Sequence, residues 1–150
     1  MTNASAPDKA LVLAAIEQVW GSMLFSTAEP WPPDLPADFG SGVQAQIELR
    51  GDWNGRLVLT CDSDVAAQIA GAMLGCGPEE VLPALDVHDA VGEILNVVGG
   101  SVKGALESVS ALGLPGVIQI AAPPAPEDCL VVRWRDAPVY VQVVQDVDAA

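Results

Sequence analysis

The sequence DAVGEILNVVGGSVKGAL, from Asp89 to Leu106, contains no proline and spaces its apolar residues as an α-helix does. At about 100° per residue, one stripe of this helix collects its polar residues and a glycine: Asp89, Glu93, Asn96, Gly100, Lys103 and Glu107. The opposite side is aliphatic: Val87, Val91, Ile94, Leu95, Val98, Val102 and Leu106. We therefore predict that the aliphatic side is buried and that Glu93 and Asn96 are displayed to solvent or to a partner.

The composition of this predicted helix lowers its intrinsic stability. It contains four glycines, each of which costs roughly 1 kcal/mol relative to alanine in a helix interior, and asparagine is a mediocre helix former. Such a sequence indicates that something approaches the helix backbone closely. The sequence leaves open whether this is a partner protein or a neighbouring element of the same chain.

The rest of the chain predicts an α+β fold, a single domain over residues 1–150 with helices packed on an antiparallel sheet. Helices are predicted at 8–24 and 63–74, and strands at 43–50, 56–61, 117–121, 129–135 and 139–147. Residues 26–42 form a proline-rich connection, residues 77–80 open a short helical turn, and residues 1–7 are expected to be flexible. Asp86 is predicted to be the N-cap of the central helix.

The spacing Asp89-x-x-x-Glu93-x-x-Asn96-x-x-x-Gly100 resembles the signature of the CheC/CheX/FliY phosphatases of bacterial chemotaxis. The string AVGEILNVVGGSVKGAL is similar to the CheX branch in particular, and Lys103 also fits. Gly55, the strand and capped helix that follow it, and Met73-Leu74-Gly75 extend the likeness. The resemblance implies the CheC/CheX-like fold with one site, since the first helix does not repeat the motif.

Proteins of this family hydrolyse the phospho-aspartate of a response-regulator receiver domain. The resemblance implies that Glu93 pairs with the receiver's lysine and that Asn96 orients the attacking water, with Asp89, Gly100 and Lys103 in supporting or binding roles. It also implies that the magnesium belongs to the CheY-like receiver, so that this chain needs no cofactor or metal of its own. Asp89 has an alternative role as a capping-box carboxylate at the helix start.

Two other functions remain open at this stage. The chain could bind a phosphorylated receiver as an adaptor without hydrolysing it, or it could be a structural component of a flagellar or other signalling complex. The sequence names neither the receiver nor the pathway. A homodimer is a further hypothesis, because the valine-rich strand 139–147 is predicted to lie at a sheet edge that a second copy could extend.

Composition disfavours several other classes of function. With 20 acidic and 6 basic residues the formal net charge is -14, which repels nucleic acid and anionic membrane surfaces. No apolar run approaches the roughly 20 residues of a membrane span, and the N-terminus lacks a signal-peptide pattern, so a cytoplasmic location is expected. The three dispersed cysteines are predicted to be buried thiols, and a single histidine argues against a zinc site.

Overall fold

Three helices cover one face of a seven-stranded antiparallel sheet in the computed structural model, which describes residues 6–77 and 80–146. The helices are α1 (Lys9–Met23), α2 (Ser63–Leu74) and α3 (Ala84–Ala105), with a 3₁₀ turn at Pro126–Asp128. The strands are β1 (Glu29–Pro30), β2 (Gly42–Gly51), β3 (Gly55–Asp62), β4 (Val109–Leu112), β5 (Gly116–Ile120), β6 (Leu130–Trp134) and β7 (Ala137–Gln145). The predicted fold class is confirmed.

The sheet has the strand order β1-β6-β7-β3-β2-β4, and β5 also pairs with β2. Strands β4 and β5 pair with opposite ends of β2, so together they form one interrupted edge along it. The alternation that predicts β2 is borne out: Val43, Ala45, Ile47 and Leu49 are buried, whereas Glu48 and Arg50 are exposed. The core therefore lies between this face of the sheet and the helices.

Helix α3 is the central element of the helical layer, since it contacts α1, α2 and β2. Helix α2 spans the predicted residues 63–74. Of its two candidate caps, Asp62 and Ser63, it is Asp62 whose carboxylate accepts a hydrogen bond from the Asp64 amide, and Gly75 ends the helix in a left-handed conformation. Helix α1 is capped in the same way by Asp8 and is anchored by Trp20, whose ring meets Trp134 edge to face at 6.1 Å.

The proline-rich connection is ordered and crosses the face of the sheet that the helices leave uncovered. The Trp31 amide donates to the Val131 carbonyl at 3.0 Å, and the Tyr140 hydroxyl donates to the Ala37 carbonyl at 2.7 Å. The ring of Phe39 packs on that of Tyr140 with centroids 5.5 Å apart. These contacts bury Tyr140 completely, although its side chain does not belong to the core beneath the helices.

Several sequence predictions need correction. The strand predicted at 139–147 is not an edge: β7 lies between β6 and β3, so both of its sides are already hydrogen-bonded. Strands β1 and β4 were not predicted, since one contains a proline and the other is interrupted by a serine, and both form only by pairing with distant strands. Cys61 and Cys129 are buried as expected, but Cys76 is partly exposed.

The start of α3 also differs from the prediction. Its N-cap is Pro83, no side chain caps it, and Asp86 lies in the first turn. Asp89 is therefore in the second turn, beyond the amides that a capping box satisfies, which removes its alternative role as a cap. The helical turn predicted at 77–80 includes Pro78 and Glu79, which lie outside the described residues. Of residues 1–7, predicted to be flexible, residues 1–5 also lie outside the described residues.

Candidate functional site

Helix α3 carries all five predicted site residues on one uninterrupted element: Asp89, Glu93, Asn96, Gly100 and Lys103. At about 1.5 Å of rise per residue, Asn96 follows Glu93 by roughly 4.5 Å along the helix axis, and Gly100 follows by roughly 6 Å more. Spacings of three and four residues keep these side chains on the same face. The helix thus fixes their relative positions without any loop.

The buried side of α3 determines which way the polar stripe points. Ile94, Leu95, Val98 and Val102 are all fully buried in the core. Glu93, Asp89, Gly100 and Lys103 are exposed, and Asn96 is partly exposed. The predicted division of the helix into a buried side and a displayed side is confirmed.

The polar side chains of the stripe are not engaged by their neighbours. Among the residues that the structure describes, none forms a hydrogen bond or ion pair with the side chain of Glu93 or Asn96. The described ion pairs lie elsewhere and join Arg50 to Glu48 and Asp146, and Arg133 to Asp136. A carboxylate and a carboxamide on the exposed side of one helix are therefore available to an incoming molecule.

The four glycines of α3 fall into two pairs with different surroundings. A Cβ on Gly92 would lie 3.3 Å from Val117, and one on Gly99 would lie 3.4 Å from Ile47, so these two allow the helix to approach the sheet. A Cβ on Gly100 or Gly104 would meet nothing within 4 Å. The close approach inferred from the sequence is thus accounted for inside the fold at Gly92 and Gly99. At Gly100 and Gly104 the backbone is open to solvent, and Gly100 is the one of the two that lies in the polar stripe.

Two features flank the stripe. On one side α1 approaches, and the Ser101 hydroxyl donates to the Gln18 side-chain oxygen at 3.3 Å. On the other side, a groove of about 460 Å³ separates the end of α2 from the first half of α3. The residues that line this groove are Met73, Leu74, Asp86, Asp89, Ala90 and Glu93. The sequence did not place Asp86 in this groove because it predicted Asp86 to be the N-cap; the helix begins at Ala84, so Asp86 lies in its first turn.

Other reactive groups lie away from the stripe or are inert. Burial raises the pKa of the Cys61 thiol to about 12, so this sulfur stays protonated at neutral pH. Within residues 6–77 and 80–146, no group of three His, Cys, Asp or Glu side chains is arranged to hold a metal ion. In the same part of the chain, no helix has the length and apolar character needed to cross a membrane.

The fold is one that CheX, CheC-like and FliY proteins share. A CheX structure from Vibrio vulnificus matches with a TM-score of 0.71 and 22% sequence identity, covering 95% of this chain and 100% of that one. The Borrelia burgdorferi CheX–CheY–BeF3–Mg complex matches with a TM-score of 0.67 and 18% identity over 90% of this chain and 95% of that one. Thermotoga maritima FliY matches with a TM-score of 0.62 and 17% identity, covering 90% and 84%.

The sequence itself identifies the branch. The family model for the chemotaxis phosphatase CheX matches residues 43–129, which include α3 and its whole polar stripe. The chain belongs to the CheX family of chemotaxis phosphatases. A comparison with curated proteins gives no match.

Proposed function

We propose that this protein hydrolyses the phospho-aspartate of a CheY-like receiver domain, with Asn96 and Glu93 as the groups that act on the receiver. The observation that carries the proposal is the pair itself: an unengaged carboxylate and carboxamide on the displayed side of α3, next to open backbone at Gly100. Membership of the CheX family supports the reaction class. The solved Borrelia CheX in complex with CheY, BeF3 and Mg supports a receiver as the class of partner.

Asn96 is the group proposed to position the attacking water. Its amide can accept a hydrogen bond from the water and donate one to a phosphoryl oxygen, and it does so without titrating. The water oxygen attacks phosphorus, the bond from phosphorus to the aspartyl oxygen breaks, and the products are inorganic phosphate and the free carboxylate. Phosphoryl transfer depends mainly on positioning and charge compensation, so a fixed amide on a rigid helix suits the reaction.

Glu93 is proposed to bind the receiver by pairing with the lysine of the receiver's active site. This contact would place Asn96, one turn further along α3, over the phosphoryl group. The magnesium ion is supplied by the receiver in this proposal. Glu93 is exposed in the free protein, so the pair would be desolvated only when the receiver docks.

Two measurements separate the roles proposed for Asn96 and Glu93. The rate of hydrolysis is the single-turnover loss of phosphate from a phosphorylated receiver, and the affinity is measured independently with the receiver loaded with beryllofluoride and Mg²⁺. Asn96→Ala should lower the rate by about 100-fold or more, the usual cost of losing one preorganised group, with affinity nearly unchanged. Glu93→Ala should also weaken binding, since truncating one partner of a buried charge pair costs roughly 2–5 kcal/mol.

Glu107→Ala is the control, because this carboxylate is exposed just beyond the C-terminal end of α3 and outside the motif. It should leave both rate and affinity close to wild type. If Asn96→Ala is as active as wild type, the proposed role of Asn96 is wrong. If wild type binds the activated receiver without accelerating hydrolysis of any receiver, the protein is an adaptor or a structural component instead.

We also propose a homodimer, but through a sheet edge other than strand 139–147, which the sequence predicted. Since β7 is internal, the outer edges of the sheet are β1 on one side and β4 with β5 on the other. We place the dimer contact at the β4 and β5 edge, where Ile118 is 54% exposed. Strand edges with exposed apolar residues favour pairing with a second chain. Light scattering should give twice the mass of the 15.5 kDa chain at micromolar concentration, and a monomer mass would refute the proposal.

A further inference from the structure

The groove between α2 and α3 combines an apolar wall with an acidic rim. Its apolar part is formed by Met73 and Leu74 at the end of α2 and by Ala90 of α3. Leu74 is 56% exposed, although it is a large aliphatic residue in a well-formed helix. The rim consists of Asp86, Asp89 and Glu93, which follow one another at intervals of three and four residues along α3.

The rim carboxylates have no cationic side chain paired with them among the described residues. No described residue forms an ion pair or hydrogen bond with the side chain of Asp86 or Asp89. Like charges at these spacings on a helix destabilise it by a few tenths of a kcal/mol per pair. An incoming cation would remove that repulsion, and the apolar wall would accommodate an aliphatic chain attached to it.

The groove is continuous with the proposed receiver contact, because Glu93 belongs to both. Asp86 lies seven residues before Glu93, which is roughly 10.5 Å along the helix axis. A specific protein interface usually covers about 800 Å² on each partner, so a receiver that reaches Glu93 and Asn96 would also cover Asp86 and Leu74. One receiver domain can therefore contact Glu93 and Asn96 and fill the groove at the same time.

We propose that this groove binds a second basic residue of the receiver, a lysine or arginine outside the receiver's active site, and thereby sets which receiver is accepted. The aliphatic stem would lie on Met73 and Leu74, and the cationic head would reach Asp86 and Asp89, as long basic side chains do at apolar surfaces. This inference rests on the proposed function. It adds a specificity contact to the site without adding a catalytic group.

The test measures KM and kcat for dephosphorylation, and Kd for the receiver loaded with beryllofluoride and Mg²⁺. Asp86→Asn should raise Kd and KM about two- to fivefold at low salt, as expected for an exposed ion pair, and should leave kcat unchanged. The effect should shrink at high ionic strength. Leu74→Ala should raise Kd about fivefold, and this effect should be insensitive to salt.

Two matched controls remove the same groups elsewhere. Glu107→Gln removes one exposed carboxylate beyond the end of α3, and Leu35→Ala truncates another exposed leucine, in the proline-rich connection. Neither should change Kd or KM. Denaturation of each variant shows that it is folded.

A charge swap identifies the receiver residue. Asp86→Lys should weaken binding further, and reversing one lysine or arginine of the receiver to glutamate should restore it, whereas reversing the others should not. If no receiver position couples to Asp86, or if Asp86→Asn and Leu74→Ala leave Kd unchanged while Glu93→Ala raises it, the groove proposal is overturned and the proposed function stands. If wild type neither binds nor dephosphorylates a receiver, both fall.

Discussion

Replacing Gly100 by alanine should make the free protein more stable and its complex with the receiver weaker. A Cβ at this position meets nothing within 4 Å, so the methyl group brings no strain. The gain in helix propensity should be about 1 kcal/mol, which corresponds to a rise in Tm of about 2–4 °C for a chain of this length. If the receiver packs against the open backbone, the same methyl group should cost about 1–3 kcal/mol of binding through overpacking.

Two glycines of the same helix serve as controls. Gly104→Ala also points into open space and should raise Tm, by less near the helix end, without weakening the receiver complex. Gly92→Ala places its Cβ 3.3 Å from Val117, so the gain in propensity should be offset by a displacement of the edge strand. Its Tm should therefore change little.

The assay for Gly100→Ala combines thermal denaturation of the free protein with titration of the receiver loaded with beryllofluoride and Mg²⁺. A fall in Tm would show that the helix is not free at this position, contrary to the structure. A higher Tm together with unchanged receiver affinity and hydrolysis would show that nothing approaches the backbone there. The first result would refute the premise that a methyl group fits here without strain, and the second would refute the assignment of Gly100 to the docking surface.

Two further predictions concern other parts of the fold. Tyr140→Phe removes the hydrogen bond to the Ala37 carbonyl and should cost about 1 kcal/mol; urea denaturation measures the loss, and proteolysis should become faster within residues 31–40. Burial raises the pKa of the Cys61 thiol from 9.0 to about 12, so the folded state favours the neutral thiol. The contribution of Cys61 to the free energy of unfolding should therefore be complete below pH 9 and be lost as the pH rises towards 12. Urea denaturation between pH 8 and 11 should show a steeper loss of stability for wild type than for Cys61→Ala, and equal slopes would contradict the prediction.

Local patterns were sufficient to predict the main elements of the fold. The alternation in β2 and the helical periodicity of α3 report which side of each element is buried, and the structure buries those sides. The Asp62 cap and the Gly75 stop likewise act within a few residues of themselves. These features were predictable because their causes lie in neighbouring residues.

Features that depend on distant contacts were not predictable in this way. Strand β4 has only four residues, one of them a serine, which is too short a pattern to be recognised alone, and it forms because residues 109–112 pair with the end of β2. The internal position of β7 follows from its pairing with both β3 and β6, and nothing in its own valine-rich sequence distinguishes an internal strand from an edge. Register and strand order are properties of the whole sheet.

The candidate site shows both kinds of feature side by side. The polar stripe from Asp89 to Lys103 could be predicted from the sequence because a single helix carries it, and residues three or four apart in a helix lie on the same face. The groove could not, since it requires the end of α2 to meet the start of α3. Asp86 illustrates the difference. The sequence predicted that its carboxylate caps the helix, but the helix begins at Ala84, and Asp86 lines a groove together with Leu74, twelve residues earlier in the chain. Asp86 lies in the first turn, where the helix N-terminus favours a carboxylate, and no described residue pairs with it, so a receiver that docks on α3 would meet this charge unpaired.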